Sequence, residues 1–420
     1  MSSPVPILQS ALLLNAPKQK YKITREHPVP KPGEGEVLIQ TQVVGLNPLD
    51  WKAPDFNFAL PVLPYIAGRE LVGQVVQTSD EASEYFSVGD RVVVISTDYR
   101  DLRKASFQQY VIASDFNTLR LPENVDPRQG ACVGVGFVAA ALALGVSLGL
   151  DFSNVHDGPD LLRLVRSLDA QRFAPDILHE CLYGVEVSER AVAGDWIVIW
   201  GGSSVTANLA AQLARLAGLR VVLVFNQAKH GLRIATDAVL QPDLLVDSHD
   251  PARAIEVIQG TLGRRVRFAL DTHGHDSTTA LIAALDPARN ATSEIKVHPF
   301  VRDTAPKDKE LLSWNPATPP RTPPSRPVTV QSHVIGLAGV PKTGLPSGVS
   351  LHSVPIKLFH EVPEVGRPLT TWLHKLLSNE SIKCPDILSV DHGLEGVNVG
   401  LDRMRSGVVS GGRAVVEFAA

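Results

Sequence analysis

Read for the spacing of its apolar and polar positions, the chain changes character nearly half-way along. From Glu36, EVLIQTQVVGLNPLDWK alternates in part and breaks at Asn47-Pro48. YIAGRELVGQVVQ follows, punctuated by Gly68 and Gly73, and in VGDRVVVI a turn at Val88-Gly89-Asp90 leads into another apolar run. Short strands joined by glycine turns predict a compact β-rich domain. The apolar start, Met1 to Ala16, can supply an edge strand, and Pro54, Pro61 and Pro64 bar regular helix from the loop between strands.

The second pattern begins at Trp196. Trp196 to Trp200 is an apolar run rich in β-branched residues, the composition of a strand buried on both faces. Gly201-Gly202-Ser203-Ser204 comes next, then Leu209, Leu213 and Leu216 at helical spacing, and after Gly218 the run Val221 to Phe225. A helical pattern from Gly231 to Leu240, LLVD at 244–247, a helix from Pro251 to Leu262 and VRFALD at 266–271 continue the alternation. Strands alternating with helices predict an α/β domain with a parallel sheet, whose ligands lie at the strands' carboxyl ends. Two stretches interrupt the plan. Residues 151–190 carry helical periodicity at Leu161, Leu164, Val165 and Leu168, and residues 286–330 contain ATPPRTPPSRP, which reads as a long mobile surface loop.

In a strand–turn–helix–strand unit, the glycine turn brings backbone close to a pyrophosphate, and the helix N-terminus directs unpaired N–H groups at its charge. Gly201, Gly202, Ser203, Ser204 and Val205 are therefore the candidate cofactor contacts. The spacing is not the usual G-x-G-x-x-G, since Ala207 stands near a later glycine position, and two-glycine turns also occur in purely structural loops. A site for NAD ends its second strand with an acid for the ribose 2′-OH. Here Phe225 is followed by Asn226-Gln227-Ala228-Lys229-His230 and then Arg233. The missing acid and the added cations favour NADPH over NADH; the alternative is a solvated helix start with Lys229 in water. Asp271, closing VRFALD, is a further cofactor candidate by its place at a strand's carboxyl end.

Composition narrows the classes. A formal charge of −4 over 420 residues, with 20% of them charged, gives no footprint for nucleic acid or an acidic membrane. Cys132, Cys181 and Cys384 lie far apart, without the spacing of a disulfide framework or a four-cysteine zinc site. No signal pattern opens the chain and no apolar run reads as long enough to span a bilayer, so a soluble cytoplasmic protein is expected.

NPLDWK, GRELVGQVV, VGDRVVV, SFQQYVIAS, LPENVD, the GGSS turn and the closing GLEGVNVGLDRMRSGVVSGGRAVVEF occur in the order found in the medium-chain dehydrogenase/reductase superfamily. The chain resembles its zinc-independent quinone- and enoyl-reductase branch, and is similar to the fungal trans-acting enoyl reductases that partner polyketide synthases. The resemblance implies a GroES-like β-barrel domain from residues 1–140 and 345–420. It also implies a Rossmann domain, a doubly wound parallel sheet, over 141–344 with insertions at 151–190 and 286–330. Gly336 and Leu337 are then expected to face the cofactor. Relatives that use zinc carry a histidine where this chain has Arg69, and a guanidinium cannot ligate a metal. His273 and His275 have ligand-like spacing, but a polar turn after a strand explains them better, so no metal is expected.

The resemblance also locates the chemistry. Lys52 matches a lysine near the active site of the fungal enzymes, and Tyr65 is a second catalytic candidate; the alternatives are a surface lysine beside Trp51 and an aromatic that merely packs. Phe58 stands where related enoyl reductases have a tyrosine, and Ala139 where the polyketide enzymes have a hydroxyl residue; Gly134 and Gly136 either admit the cofactor or loosen a helix start. The implied function is NADPH-dependent reduction of an activated C=C bond in an enone, quinone or enoyl thioester. The alternative is a cofactor fold turned to binding, scaffolding or non-redox chemistry. A small-molecule substrate, free or carrier-bound, and a polyketide synthase are the expected partners, with the chain a monomer or homodimer.

Overall fold

The computed structural model describes residues 4–290, 331–341 and 343–418, so ATPPRTPPSRP and most of the 286–330 insertion lie outside the described residues. In chain order the first half holds β1 (Leu8–Leu13), β2 (Lys22–Pro28), β3 (Glu36–Gly45), α1 (Pro48–Phe56), β4 (Glu70–Thr78), β5 (Arg91–Ile95), β6 (Tyr110–Ser114), β7 (Thr118–Arg120) and α2 (Pro127–Leu142). The insertion contributes α3 (Leu161–Arg166) and α4 (Leu178–Tyr183). Next come β8 (Trp196–Trp200), α5 (Val205–Leu216), β9 (Arg220–Phe225), α6 (Gln227–Ala235), β10 (Leu244–Asp247), α7 (Pro251–Leu262), β11 (Val266–Asp271), α8 (His275–Ala284) and the short α9 (Pro287–Asn290). The chain closes with β12 (Ser332–Gly336), β13 (Val349–His352), α10 (Lys357–Glu361), α11 (Pro363–Ser378), β14 (Ile387–His392), α12 (Gly393–Arg405) and β15 (Arg413–Glu417).

The barrel sheet turns on β3. One edge pairs along its whole length with β4, from Val37↔Thr78 to Gly45↔Glu70. The other is shared, with β6 on its first half (Glu36↔Ser114) and β15 on its end (Gly45↔Val415). The C-terminus thereby closes the domain that the N-terminal half begins, and β1 with β2 form a separate antiparallel ribbon beside it.

The second sheet has the order β10-β9-β8-β11-β12-β13, with every neighbouring pair parallel. All five residues of β8 are buried, as a strand covered on both faces requires. Since β13 lies in this sheet, the expected domain boundary at 344/345 falls one strand early. VSLH has two polar residues in four, too weak a pattern to be read as a strand.

One helix belongs to both domains. The continuous helical run from Pro127 to Ser147 is long and apolar enough to cross a bilayer, which corrects the sequence reading. Inside this fold 89% of its most apolar window is buried. Its apolar residues join Val72 and Ile95 of the barrel to Ile197 and Leu223 of the parallel sheet in one core. The 151–190 insertion is part of that core as well: Phe152, Leu161 and Val165 are fully buried, and Trp372 Nε1 donates to the Val155 carbonyl at 2.8 Å.

Candidate functional site

The glycine turn at the end of β8 is built around Gly201. Its φ is +82°, a conformation that L side chains rarely adopt, and a Cβ there would stand 2.4 Å from Thr272 Oγ1. The N–H groups of Gly201 and Gly202 both donate to the Val224 carbonyl, at 3.0 and 2.9 Å. Thr272 Oγ1 donates toward the Trp200 and Gly201 carbonyls, at 3.1 and 3.2 Å, and pairs with Ser204 Oγ at 2.9 Å. Ser204 also caps α5, accepting from Ala207 N at 3.1 Å. At Gly202 a Cβ would face Leu223 Cβ at 3.1 Å and Phe225 Cδ1 at 3.4 Å, toward the sheet, whereas the positive φ that shapes the turn is at Gly201.

Beyond the turn lies a cavity of about 380 Å³, lined by Gly201 and Ser203 from the turn, Asn226, Lys229 and His230 from the start of α6, and Ser410 from the C-terminal segment, among others. Asn226 Oδ1 accepts from Lys229 N at 2.9 Å and so fixes the first turn of α6. Lys229 Nζ donates to the Gly407 carbonyl at 3.1 Å, and His230 Nε2 pairs with Ser410 Oγ at 3.2 Å. Burial, followed by the charges of Arg233 and Lys229, lowers the pKa of His230. Asp276, the one acid among the described lining residues, is fully exposed and pairs with its neighbour His275 at 3.3 Å. Arg233 does not share this cavity. It lines an adjacent space, within 3.9 Å of Asp386 and 3.5 Å of the Ser203 carbonyl, while its charge, like that of Lys229, acts on His230.

The later strand ends behave differently. Asp271 is fully buried, and its Oδ2 accepts from Gly274 N at 2.8 Å and Thr278 Oγ1 at 3.1 Å, so this oxygen braces the turn that carries His273. Burial raises its pKa against these bonds. Leu337 N donates to the Asp271 carbonyl at 3.0 Å, and Gly336 packs beneath Val340, where a Cβ would meet Cγ1 at 2.4 Å. His273 lines the large cavity, which its reading as a mere turn residue did not foresee.

Across the fold, at the ends of β3, β4 and β15, sits a buried polar cluster. Glu70, fully buried, accepts from Asn47 Nδ2 at 3.0 Å and Val135 N at 2.9 Å, with Arg413 at 3.8 Å. Asp50 Oδ2 accepts from Asn47 N at 2.7 Å; Oδ1 is buried without a partner. Burial pushes the Asp50 carboxyl up to about 6 and raises that of Glu70. Tyr21, its phenol raised by burial and then by Asp50, donates to the Asp50 carbonyl at 2.7 Å. Tyr65 is buried within the barrel core and accepts from Arg69 Nη2; burial raises its phenol too. Lys52 is half-buried, its Nζ 5.7 Å from the Trp51 ring centre. Phe58 is 44% exposed beyond α1, and Ala139 is half-buried on α2. Among the described residues no group of three His, Cys, Asp or Glu side chains is placed to hold a metal ion.

The sequence reading missed Glu70, Asp50, Arg413 and Thr272. In the sequence GRE shows only a departure from a zinc-ligand motif, and Arg413 opens an apolar strand whose pattern points to packing alone.

A GroES-like barrel joined through one helix to a parallel sheet with a glycine turn is the plan of the medium-chain dehydrogenase/reductase superfamily. The resemblance read from the motifs is shown over the chain. Residues 33–123 match the alcohol dehydrogenase GroES-like domain. The chain is 26% identical over 418 residues to a trans-enoyl reductase of Aspergillus niger, covering 98% of this chain and 97% of that one. With a trans-enoyl reductase of Aspergillus sclerotiorum it shares 24% over 413 residues, 96% and 99% of the two chains. Among solved structures, the CurK enoyl reductase superposes with a TM-score of 0.63 at 14% identity, covering 98% and 99%. A mycobacterial protein complexed with NADPH gives 0.62 at 16%, covering 97% and 99%. These structures share the fold.

Proposed function

We propose that this chain is a zinc-independent, NADPH-dependent reductase of an activated C=C bond, in an enone, a quinone or an enoyl thioester. The observation that carries the reading is the cavity of about 380 Å³ that begins at the positive-φ Gly201 and ends at Lys229. The residues present fit a dinucleotide phosphate. Gly201 leaves room for backbone approach, the uncommitted N–H groups of the first turn of α5 favour a pyrophosphate, and Lys229 places a cation beyond β9 where no acid stands. The mycobacterial neighbour complexed with NADPH supports the choice of nucleotide, and the trans-enoyl reductase relatives support the C=C bond.

A bound nicotinamide supplies a hydride. The chain's own part is to hold the nucleotide, exclude water and steady the charge that arises on the substrate. Arg69, in the place of a zinc ligand, is a donor only and cannot bind metal. A carrier-bound acyl group supplied by a polyketide synthase in the cytoplasm is the natural form of substrate on this reading, with the protein a monomer or a homodimer.

The test is NADPH oxidation with a panel of enones, quinones and enoyl thioesters, alongside fluorescence titration of NADPH and NADH. Tighter binding of NADPH and turnover of at least one acceptor are expected. NADPH binding without turnover of any acceptor would favour a scaffold, and no nucleotide binding would remove the reading altogether.

A further inference from the structure

Arg69 is only 5% exposed, and among the described residues it forms no ion pair. Glu70, its neighbour in the chain, is engaged by Asn47, Val135 and Arg413; Asp50 accepts the Asn47 N–H through Oδ2 while its Oδ1 has no hydrogen-bond partner, and the Arg69 charge acts on it without an ion pair. What holds Arg69 is aromatic. Its Cζ lies 5.9 Å from the Tyr65 ring centre and 5.6 Å from that of Tyr99, and Nη2 donates to the Tyr65 hydroxyl. A guanidinium keeps its charge and presents five donors; burying one with a single neutral acceptor is unfavourable unless it meets negative charge. Among the described residues no carboxylate supplies that charge at ion-pair distance.

Its place in the fold says where such charge would arise. Arg69 precedes Glu70, whose Oε2 takes the N–H of Val135 on α2. One residue further, Gly136 abuts the first turn of α5: a Cβ there would be 3.0 Å from Leu209 Cδ1, 3.3 Å from Val205 Cγ1 and 3.5 Å from Thr206 Oγ1. The buried cation thus belongs to the cluster that meets the nucleotide helix through a single stretch of α2.

We infer that the Arg69 guanidinium is the electrophile of this site, the group that binds the carbonyl oxygen of the substrate and stabilises it as an enolate. The inference rests on the C=C reductase reading. As hydride from the nicotinamide bonds to the β-carbon, the C=C electron pair shifts toward the carbonyl and the oxygen takes the negative charge; a proton from water then bonds to the α-carbon. One hydride and one proton account for the two electrons and two hydrogens added. Arg69 remains charged throughout and needs no proton of its own, so the site works without the tyrosine that Phe58 replaces. Tyr65 is a positioning residue, holding the guanidinium by its hydroxyl.

The experiment compares wild type with Arg69→Gln, Arg69→Lys and Tyr65→Phe in three measurements: thermal melting, NADPH affinity by fluorescence, and binding of crotonate, whose carboxylate mimics the enolate charge. Steady-state rates with an accepted enone are added. Arg69→Gln should weaken crotonate at least tenfold and lower kcat about a hundredfold, the range for losing one preorganised oxyanion donor, with NADPH affinity unchanged. Arg69→Lys should recover part of both, and Tyr65→Phe should show the same pattern on a smaller scale. Should Arg69→Gln fail to fold, Arg69→Lys with its melting temperature retained decides the matter, by a kcat below and a crotonate affinity weaker than wild type. Unchanged crotonate binding in the folded variants, or no crotonate binding by wild type, overturns the inference. Wild type that oxidises no NADPH with any acceptor defeats the reductase reading instead, while the crotonate measurement still reports on Arg69.

Discussion

The nucleotide cavity and the polar cluster at the barrel mouth are made in opposite ways. At the nucleotide end, Lys229 and Asn226 are exposed, the helix cap of Asn226 is local, and shape comes from one positive φ at Gly201 and one helix N-terminus, with Lys229 and His230 reaching Gly407 and Ser410. At the barrel mouth, Asn47, Asp50, Arg69, Glu70 and Arg413 are all at most 5% exposed and come from three separate parts of the sequence. A solvated cation contributes to binding and little to folding, whereas buried charges that partner one another contribute to both. Substitutions at the two ends should therefore separate affinity from stability.

The sharpest test of that contrast is Glu70→Ala. Removing the carboxylate leaves Arg413 and Asn47 buried without their partner, and breaking a buried pair of this kind costs about 3–5 kcal/mol. Urea unfolding should register the loss; a shift below about 1 kcal/mol would mean that the cluster is wetter than it looks. Lys229→Ala should do the reverse. Unfolding stability should stay within about 0.5 kcal/mol, while NADPH affinity falls by about tenfold or more, as expected for a charge-assisted contact of roughly 1.5–3 kcal/mol. NADH affinity should not move. Arg233→Ala, which lies outside the large cavity, should discriminate less between the nucleotides; equal effects from both cations would restore the pairing that the sequence suggested.

The seam between the domains provides a third test, in pH. His360 on α10 bonds through Nδ1 to Thr97 Oγ1 at 2.7 Å and faces Arg100 through Nε2 at 3.5 Å. Burial lowers its pKa from 6.5 to about 4. The unfolded chain therefore binds this proton first as pH falls: stability from His360 is complete above 6.5 and is lost between 6.5 and 4. Asp50, raised to about 6, acts in the opposite sense over part of this range. The informative quantity is thus the difference from His360→Phe, whose stability curve should be flatter by about 2 kcal/mol between pH 7 and pH 5. Parallel curves would remove His360 from the account.

The smallest effect is expected at Lys52. With its ammonium over Trp51, Lys52→Ala should change kcat by less than about threefold, against the hundredfold expected for Arg69→Gln. A hundredfold loss at Lys52 with none at Arg69 would exchange their roles.

The difference between the two ends also explains what could be read in advance. Strand, glycine turn, helix and strand are local in sequence, so the parallel sheet, the turn at 201–204 and the cation at Lys229 were all accessible from spacing and residue type. Two adjacent glycines look alike in a sequence, while the backbone dihedral and the proximity of Thr272 single out Gly201 as the one that shapes the turn. The barrel-mouth cluster had no comparable signal. Glu70 meets Arg413 only because β15 returns to the end of β3, a pairing between residues 343 positions apart in the chain. Arg69 was visible as a residue that cannot bind metal, but its lack of a charged partner is a property of the folded chain alone.

The helix that both domains share sets a rule for how the chain can vary. Gly134 lies against Ile95, where a Cβ would come within 2.4 Å of Cγ1, and two residues later Gly136 lies against Leu209 and Val205. The two contacts belong to different domains, yet they sit on one rigid rod. A methyl added at position 134 must be matched by a smaller residue at 95, and one at 136 by a change at 209. Related chains should therefore exchange these residues in pairs, and a barrel transplanted from one chain to another will fit its new partner only if this helix travels with it.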